Sequence, residues 1–117
     1  MTVKECYAAM GGNYDDVMSR LRTDERVTKF LLKIADDKTY ELLETSIATG
    51  NVEEAFRAAH TIKGMCMNLS VTKLFESANK LTEALRGQTS IPASIQGLFE
   101  AVKADYELTI KCIRELA

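Results

Sequence analysis

The sequence predicts an all-α protein, an antiparallel four-helix bundle with a short N-terminal helical extension. Apolar residues recur every three or four positions in each long segment, which is typical of amphipathic helices, and no segment alternates with the period of two expected of strands. A single proline in 117 residues, Pro92, leaves the helices uninterrupted elsewhere. Capping residues and glycines between the segments predict short connections between antiparallel neighbours. One core is expected at this length, and therefore one domain, with residues 1–22 as the N-terminal segment and residues 23–117 as the bundle.

Two short helices are predicted in the N-terminal segment. Thr2 followed by Glu5 is typical of a capping box, which predicts a first helix that ends at the glycine pair 11–12. Asn13 can cap a second short helix that continues through Leu21.

The first bundle helix is predicted to begin after Thr23, an N-cap residue that is followed by two acidic residues. It should break or kink near residues 36–37 and then resume as far as Gly50. Its apolar positions are Val27, Phe30, Leu31, Ile34, Tyr40, Leu43 and Ile47.

Three further helices complete the predicted bundle. Asn51 should cap a helix of roughly 17 residues that ends at about residue 68 or 69. The next helix closes at residues 86–87, and residues 87–90 form a loop before the last helix, whose first turn tolerates Pro92. The core-facing positions of these last two helices are Val71, Leu74, Ala78, Leu81 and Leu85, then Ile95, Leu98, Phe99, Val102, Tyr106, Ile110 and Ile113.

Composition and charge argue against several classes of protein. A formal net charge of -2, with both signs interspersed, is not that of a sequence-independent nucleic-acid binder. Cys6, Cys66 and Cys112 are far apart and odd in number, which indicates neither a disulfide framework nor a zinc site. The first residues lack the apolar core of a signal peptide, and no apolar run could span a membrane. We therefore expect a cytoplasmic protein that binds neither nucleic acid nor membrane.

The chain contains one histidine, His60, in the middle of the helix predicted after Asn51. An unperturbed histidine is largely neutral and nucleophilic near pH 7. On a helical wheel the imidazole points away from the apolar stripe, so it should face solvent or a partner. That stripe consists of Ala55, Ala58, Ile62, Cys66 and Leu69.

Two neighbours of His60 distinguish it from an ordinary surface histidine. Lys63 and Gly64 both lie within about 60° of its direction, one turn further along the helix. A glycine in a helix interior costs about 1 kcal/mol relative to alanine, so a compensating reason for Gly64 is expected. One reason is close approach of a partner, and the alternative is packing of Gly64 against a neighbouring helix. For Lys63 the alternative is an ordinary solvated lysine.

The run Ala-Ala-His-Thr-Ile-Lys-Gly at residues 58–64, followed by Asn-Leu at residues 68–69 and a leucine-rich helix, resembles the histidine-containing phosphotransfer (HPt) domain family. The resemblance covers residues 39–105. It implies that His60 accepts a phosphoryl group from an aspartyl phosphate of a response-regulator receiver domain and passes it to another receiver. Lys63 would balance charge on the phosphoryl oxygens, and Gly64 would admit the receiver closely.

The resemblance also implies partners and cofactors. The chain would be a monomeric phosphocarrier and not an enzyme, since it has no GxxxxGK[ST] loop or other ATP-binding motif. Receiver domains, and in some pathways a hybrid sensor histidine kinase, are the expected partners. No cofactor is expected on the chain itself, and any Mg²⁺ would come from the acidic pocket of the receiver.

Three residues near His60 are candidate docking residues. Phe56 and Met67 lie within about 40° of it on the wheel, and exposed apolar side chains suit a transient interface. Arg57 could pair with an acidic partner. The alternatives are that Phe56 folds into the edge of the core and that Arg57 is simply solvated.

Two positions depart from the family pattern. Ser70 stands where a glycine commonly closes the histidine helix, and we expect it to cap the next helix in a different backbone conformation. Met65 stands where a small residue is common, and it should alter packing near the core. These departures leave two other hypotheses open: a bundle that binds a receiver without carrying phosphate, and a helical bundle with no partner.

Overall fold

A computed structural model describes residues 1–116, and within them every regular element is a helix. This confirms the predicted all-α class. The helices are α1 (Val3–Met10), α2 (Tyr14–Leu21), α3 (Asp24–Asp36), α4 (Thr39–Thr49), α5 (Val52–Leu69), α6 (Thr72–Leu85) and α7 (Ile95–Arg114). None of these seven helices combines the length and the apolar character that a membrane crossing requires.

Capping side chains set the helix starts where the sequence predicts them. The Thr2 hydroxyl accepts a hydrogen bond from the Glu5 N–H at 3.1 Å, and the Glu5 carboxylate accepts one from the Thr2 N–H at 2.9 Å, which completes the capping box. The side chains of Asn13, Thr23 and Asn51 each accept a backbone N–H in the first turn of α2, α3 and α5. Local chemistry therefore determines these four boundaries.

The predicted break near residues 36–37 separates α3 from α4. Asp37 has extended backbone angles, φ -75° and ψ 143°, and its carboxylate accepts a hydrogen bond from the Thr39 N–H at 2.7 Å. Gly50 then ends α4 in the left-handed conformation that glycine adopts without strain.

Helix α5 lies between α4 and α6, and α7 packs on the other side of α6. Helix α3 contacts α5 and α7, and α1 contacts α7. One apolar cluster includes buried side chains from all seven helices. All five predicted stripe residues of α5 and all five predicted core residues of α6 are buried, which confirms the orientation of both helices.

Some core predictions are only partly right. Phe30 remains 39% exposed, because it lies at the edge of the stripe formed by Val27, Leu31 and Ile34, about 60° from Val27 on the helical wheel. In α7, Leu98, Tyr106 and Ile110 are partly buried, while Thr109 and Cys112 are buried. Pro92 precedes α7, and its carbonyl accepts a hydrogen bond from the Ile95 N–H at 3.1 Å.

The expectation that Ser70 caps the next helix is wrong. Ser70 ends α5 in the left-handed conformation, φ 56° and ψ 37°, and α6 begins without a side-chain cap. The Ser70 hydroxyl instead donates to the Asp16 carboxylate and accepts from the Arg20 guanidinium at 2.6 Å. Left-handed backbone costs a non-glycine residue about 1–2 kcal/mol, and hydrogen bonds to charged groups offset a penalty of that size. Serine thus occupies a glycine-like conformation.

The N-terminal segment also satisfies the last carbonyl groups of α5. The buried Tyr7 hydroxyl donates to the Leu69 carbonyl at 2.7 Å, and Arg20 donates to the Asn68 carbonyl at 2.8 Å. The Asn13 N–H donates to the Ser70 carbonyl at 2.8 Å. A helix end leaves such carbonyls unpaired, so α1 and α2 complete α5 through these contacts.

The three cysteines are free and buried. Burial raises the pKa of the Cys66 thiol to about 12 and that of Cys6 to about 11. Thiols with pKa values this high are almost fully protonated and unreactive near neutral pH. They contribute packing to the core.

Candidate functional site

His60 lies on the exposed face of α5, opposite the buried stripe, as the helical wheel predicts. Its ring stacks on Phe56, with ring centroids 6.0 Å apart and planes inclined by 21°. The side-chain hydrogen bonds of α5 within residues 1–116 involve Asn51, Glu54, Arg57 and Thr61, and none holds the imidazole. The ring therefore has one supported face and nitrogen atoms that a partner can reach.

Lys63 lies one turn beyond His60 on the same side of α5 and is half-buried. No salt bridge among residues 1–116 includes it. Its ammonium group is therefore available to an anion that arrives at the histidine.

Gly64 borders open space. A Cβ atom built on it would meet no atom of residues 1–116 within 4 Å, leaving aside its own helix backbone and chain neighbours. The alternative that Gly64 packs against a neighbouring helix is therefore wrong. The conformational penalty of a mid-helix glycine therefore brings no packing benefit within residues 1–116.

The three candidate docking residues differ in exposure and in the contacts that they form within the protein. Met67 is 57% exposed, so its flexible side chain is available for a partner. Phe56 is half-buried and packs against the core, so the alternative of a core-edge role holds for part of its ring. Arg57 is exposed but pairs with Glu54 on its own helix at 2.7 Å.

Glu83 of α6 and Arg86, the residue directly after α6, lie on the side of the helix near the histidine, and sequence reasoning missed both. The Arg86 guanidinium carbon lies 5.1 Å from the centroid of the Phe56 ring, on which His60 stacks. Arg86 in turn forms an ion pair with Glu83, with Nη2 and Oε1 3.1 Å apart.

The Glu83 carboxyl interacts electrostatically with His60 and Lys63. Hydrogen bonds from Arg86 hold the pKa of the Glu83 carboxyl below its ordinary value, and the charges of Arg86, Lys63 and His60 lower it further. The Glu83 carboxylate of α6 and the guanidinium of Arg86, its C-cap residue, therefore lie on the side of α6 near His60 and Lys63. No sequence motif marks them, because the side of α6 that lies along His60 depends on how the two helices cross.

A separate groove lies between α3 and α5, with a volume of about 260 Å³. Met65 lines it and packs against the core, as its position on the wheel predicts. The other lining residues are Leu21, Phe30, Lys33, Ile34, Asp37, Asn68 and Leu69.

The chemistry available at the site is that of an exposed nucleophile with cations nearby. Among residues 1–116, no group of three or more histidine, cysteine, aspartate or glutamate side chains is placed to hold a metal ion. A neutral ring nitrogen can attack an electrophile that a partner presents. The Lys63 ammonium and the Arg86 guanidinium can stabilise negative charge on that electrophile.

Comparison with protein families gives one match. The sequence model of the Hpt domain matches residues 31–110, which include all of α4, α5 and α6, the second half of α3 and most of α7. Searches of curated proteins and of solved structures found no match. The matched region covers more than half of the chain and includes every residue of the candidate site.

Proposed function

Because the chain belongs to the Hpt domain family, whose members carry phosphoryl groups in two-component phosphorelays, we propose that His60 is its phosphoryl acceptor and donor. The observation that supports this assignment most directly is the placement of the only histidine, exposed in mid-helix beside an open Gly64 and beside Lys63, which has no salt bridge within residues 1–116. The donor and the acceptor would both be aspartates of response-regulator receiver domains.

The transfer needs one ring nitrogen of neutral His60. Its lone pair attacks the phosphorus of a receiver's aspartyl phosphate in line with the P–O bond to aspartate. As the N–P bond forms, the P–O bond breaks and its electron pair remains on the aspartate as carboxylate. The proton on the other ring nitrogen stays in place during attack. The onward transfer is the reverse of these steps with the second receiver.

Lys63 would stabilise the phosphoryl oxygens during this transfer. It has a flexible stem and no salt-bridge partner within residues 1–116, so its ammonium group can follow the moving phosphoryl group. Such electrostatic stabilisation is graded, and we expect Lys63→Ala to slow the transfer without abolishing it.

Gly64 and the neighbouring side chains would form the docking surface. A receiver must bring its aspartate within bonding distance of the imidazole, and the open space over Gly64 allows its loops to approach the helix backbone. Exposed Met67 and the free edge of Phe56 would contribute apolar contact, and Arg57 would contribute charge.

The chemistry also indicates what the partner supplies. Hpt domains are phosphocarriers rather than enzymes, and they interact with the receiver domains of response regulators and kinases. We propose that any Mg²⁺ is bound by the receiver, and that this chain acts in the cytoplasm as a monomeric single domain. In that domain α3 and α4 together would form the first helix of a four-helix bundle with α5, α6 and α7.

A labelled-transfer experiment tests the assignment. Receiver domains from the same genome are charged with ³²P-labelled acetyl phosphate and incubated with the wild-type chain, His60→Gln and Lys63→Ala. We expect an acid-labile, base-stable label on the wild type, none on His60→Gln and slower labelling of Lys63→Ala. Circular dichroism should show the same helix content in all three. Label that persists on His60→Gln, or binding of receivers without any label on the wild type, would contradict the proposal.

A further inference from the structure

Glu83 and Arg86 form an ion pair with two contacts at the edge of the proposed site. Nη2 of Arg86 lies 3.1 Å from Oε1 of Glu83, and Nε lies 3.2 Å from Oε2. The two side chains are 53% and 52% exposed, so the pair can open without disturbing the core.

Arg86 is also placed against the platform that supports the histidine. Its guanidinium carbon lies 5.1 Å from the centroid of the Phe56 ring, and that ring stacks on His60. The guanidinium and the imidazole thus lie against the same aromatic ring. A guanidinium binds carboxylate and phosphate oxygens with the same forked geometry, so a phosphoryl group on His60 would compete with Glu83 for Arg86.

We propose that Glu83 is a positioning residue that holds Arg86 back from the phosphoryl group and so keeps phosphorylated His60 reactive toward a receiver. This inference rests on the proposed function of His60. A phosphoryl group brings nearly two negative charges to the site. With Glu83 present, Arg86 is shared between two anions and stabilises the phosphorylated form only in part. Glu83 itself takes part in no bond change, since the N–P bond still forms and breaks between His60 and the receiver's aspartate.

The electrostatic environment of Glu83 agrees with this role. The pKa of its carboxyl is lowered first by hydrogen bonds from Arg86, and the charges of Lys63 and His60 contribute to the same lowering. The Glu83 carboxylate therefore interacts with the groups around the proposed phosphorylation site.

Neutralising Glu83 tests the proposal. Glu83→Gln should release Arg86, and we expect the equilibrium between a ³²P-labelled receiver and this chain to shift about two- to five-fold toward the chain, the range for exposed ion pairs. The hydrolysis half-life of His60 phosphorylated by potassium phosphoramidate should lengthen by a similar factor. Both effects should shrink at high salt.

Three variants control this measurement. Glu83→Asp keeps the charge and should restore behaviour close to the wild type. Glu76→Gln makes the same charge change on the same helix, in the cleft between α6 and α7 that is lined by Lys73 and Lys80, and it should leave both readouts unchanged. In an Arg86→Gln background, Glu83→Gln should lose most of its effect, because the two residues act as a unit.

The outcomes separate this inference from the proposed function. If wild-type His60 takes no label from receivers or phosphoramidate, the proposed function fails. If the wild type is labelled but Glu83→Gln behaves like Glu76→Gln, or has the same effect with and without Arg86, the role of Glu83 is overturned and the proposed function stands.

Discussion

His60, in the middle of α5, and Ser70, the C-cap residue of that helix, lie ten residues apart and differ in their contacts with the rest of the protein. The imidazole of His60 is exposed and rests against Phe56, whereas the hydroxyl of Ser70 is buried and bonded to two charged side chains of α2. The open middle of α5, its outer side at His60 and Gly64, thus has few neighbours, and the anchored end, residues 68–70, has many.

The accessibility of the imidazole and the fixed position of its helix thus come from different parts of the structure. Side-chain contacts that held the imidazole itself would also block a partner, so the helix is fixed through its buried face and its C-terminal carbonyls instead. Substitutions at the anchored end should therefore change stability and leave transfer intact. Substitutions in the open middle should do the reverse.

The largest stability effect is expected at Gly12, which supports the anchored end. A Cβ atom there would lie 2.6 Å from the Tyr7 ring and 2.9 Å from the Ser70 carbonyl oxygen. Gly12→Ala should lower the free energy of unfolding by about 2–3 kcal/mol, because neither neighbour can move freely. Urea denaturation measures this, with Gly97→Ala as the control, because a Cβ at Gly97 would meet no atom of residues 1–116 within 4 Å apart from its own helix backbone and chain neighbours. Equal stability of the two variants would show that the end of α5 is not tightly packed.

A smaller effect is expected at Ser70. Ser70→Ala keeps the left-handed strain but loses the hydroxyl contacts with Asp16 and Arg20, so it should cost about 1–2 kcal/mol. Ser70→Gly loses the same contacts but relieves the strain, so it should be closer to the wild type. Both should transfer phosphate at the wild-type rate, since His60 lies about 15 Å away along the helix. A loss of transfer in folded Ser70→Ala would break the separation between the two regions.

A substitution at Gly64 should impair phosphoryl transfer without destabilising the protein, in contrast to the substitutions at Gly12 and Ser70. Gly64→Ala should stabilise the protein by about 0.5–1 kcal/mol, because alanine is the better helix former and its methyl group would meet no atom of residues 1–116 outside its own helix backbone and chain neighbours. The same methyl group should slow phosphoryl transfer from a receiver. Gly97→Ala on α7 is the matched control: it should stabilise similarly and leave transfer unchanged. If Gly64→Ala transfers normally, the open space is not used for docking.

The smallest effect concerns the pH dependence of the anchored end. Hydrogen bonds from Ser70 and Arg20 hold the pKa of Asp16 below the ordinary value of 3.8. A lowered pKa in the folded state means that the carboxylate stabilises the fold above that ordinary value, and that this contribution is lost as pH falls through the lowered pKa. Asp16→Asn should therefore be less stable than the wild type at about pH 7, and the gap should close toward about pH 2.

Urea denaturation across this pH range measures the gap. Asp15→Asn removes the same charge from the same turn of α2 and should change stability less. A gap that stays constant with pH would show that the carboxylate of Asp16 contributes no charge-dependent stability at the end of α5.

Much of the fold and the centre of the site could be predicted because the relevant interactions are local. N-caps such as Thr2 and Asn51 act within three residues, and the apolar period separates the buried face of α5 from the face that carries His60. Lys63 and Gly64 are placed beside the histidine by helix geometry alone.

The helices, their buried faces and the exposure of the single histidine follow from the sequence, because these features depend on interactions within about four residues. Tertiary packing sets which side of α6 lies along His60, and so brings Glu83 and Arg86 to the site. It also sets the left-handed conformation of Ser70, through contacts with two α2 residues that lie 50 and 54 positions earlier in the chain. Such contacts depend on how helices rotate and cross as the whole core packs, and no local pattern records that.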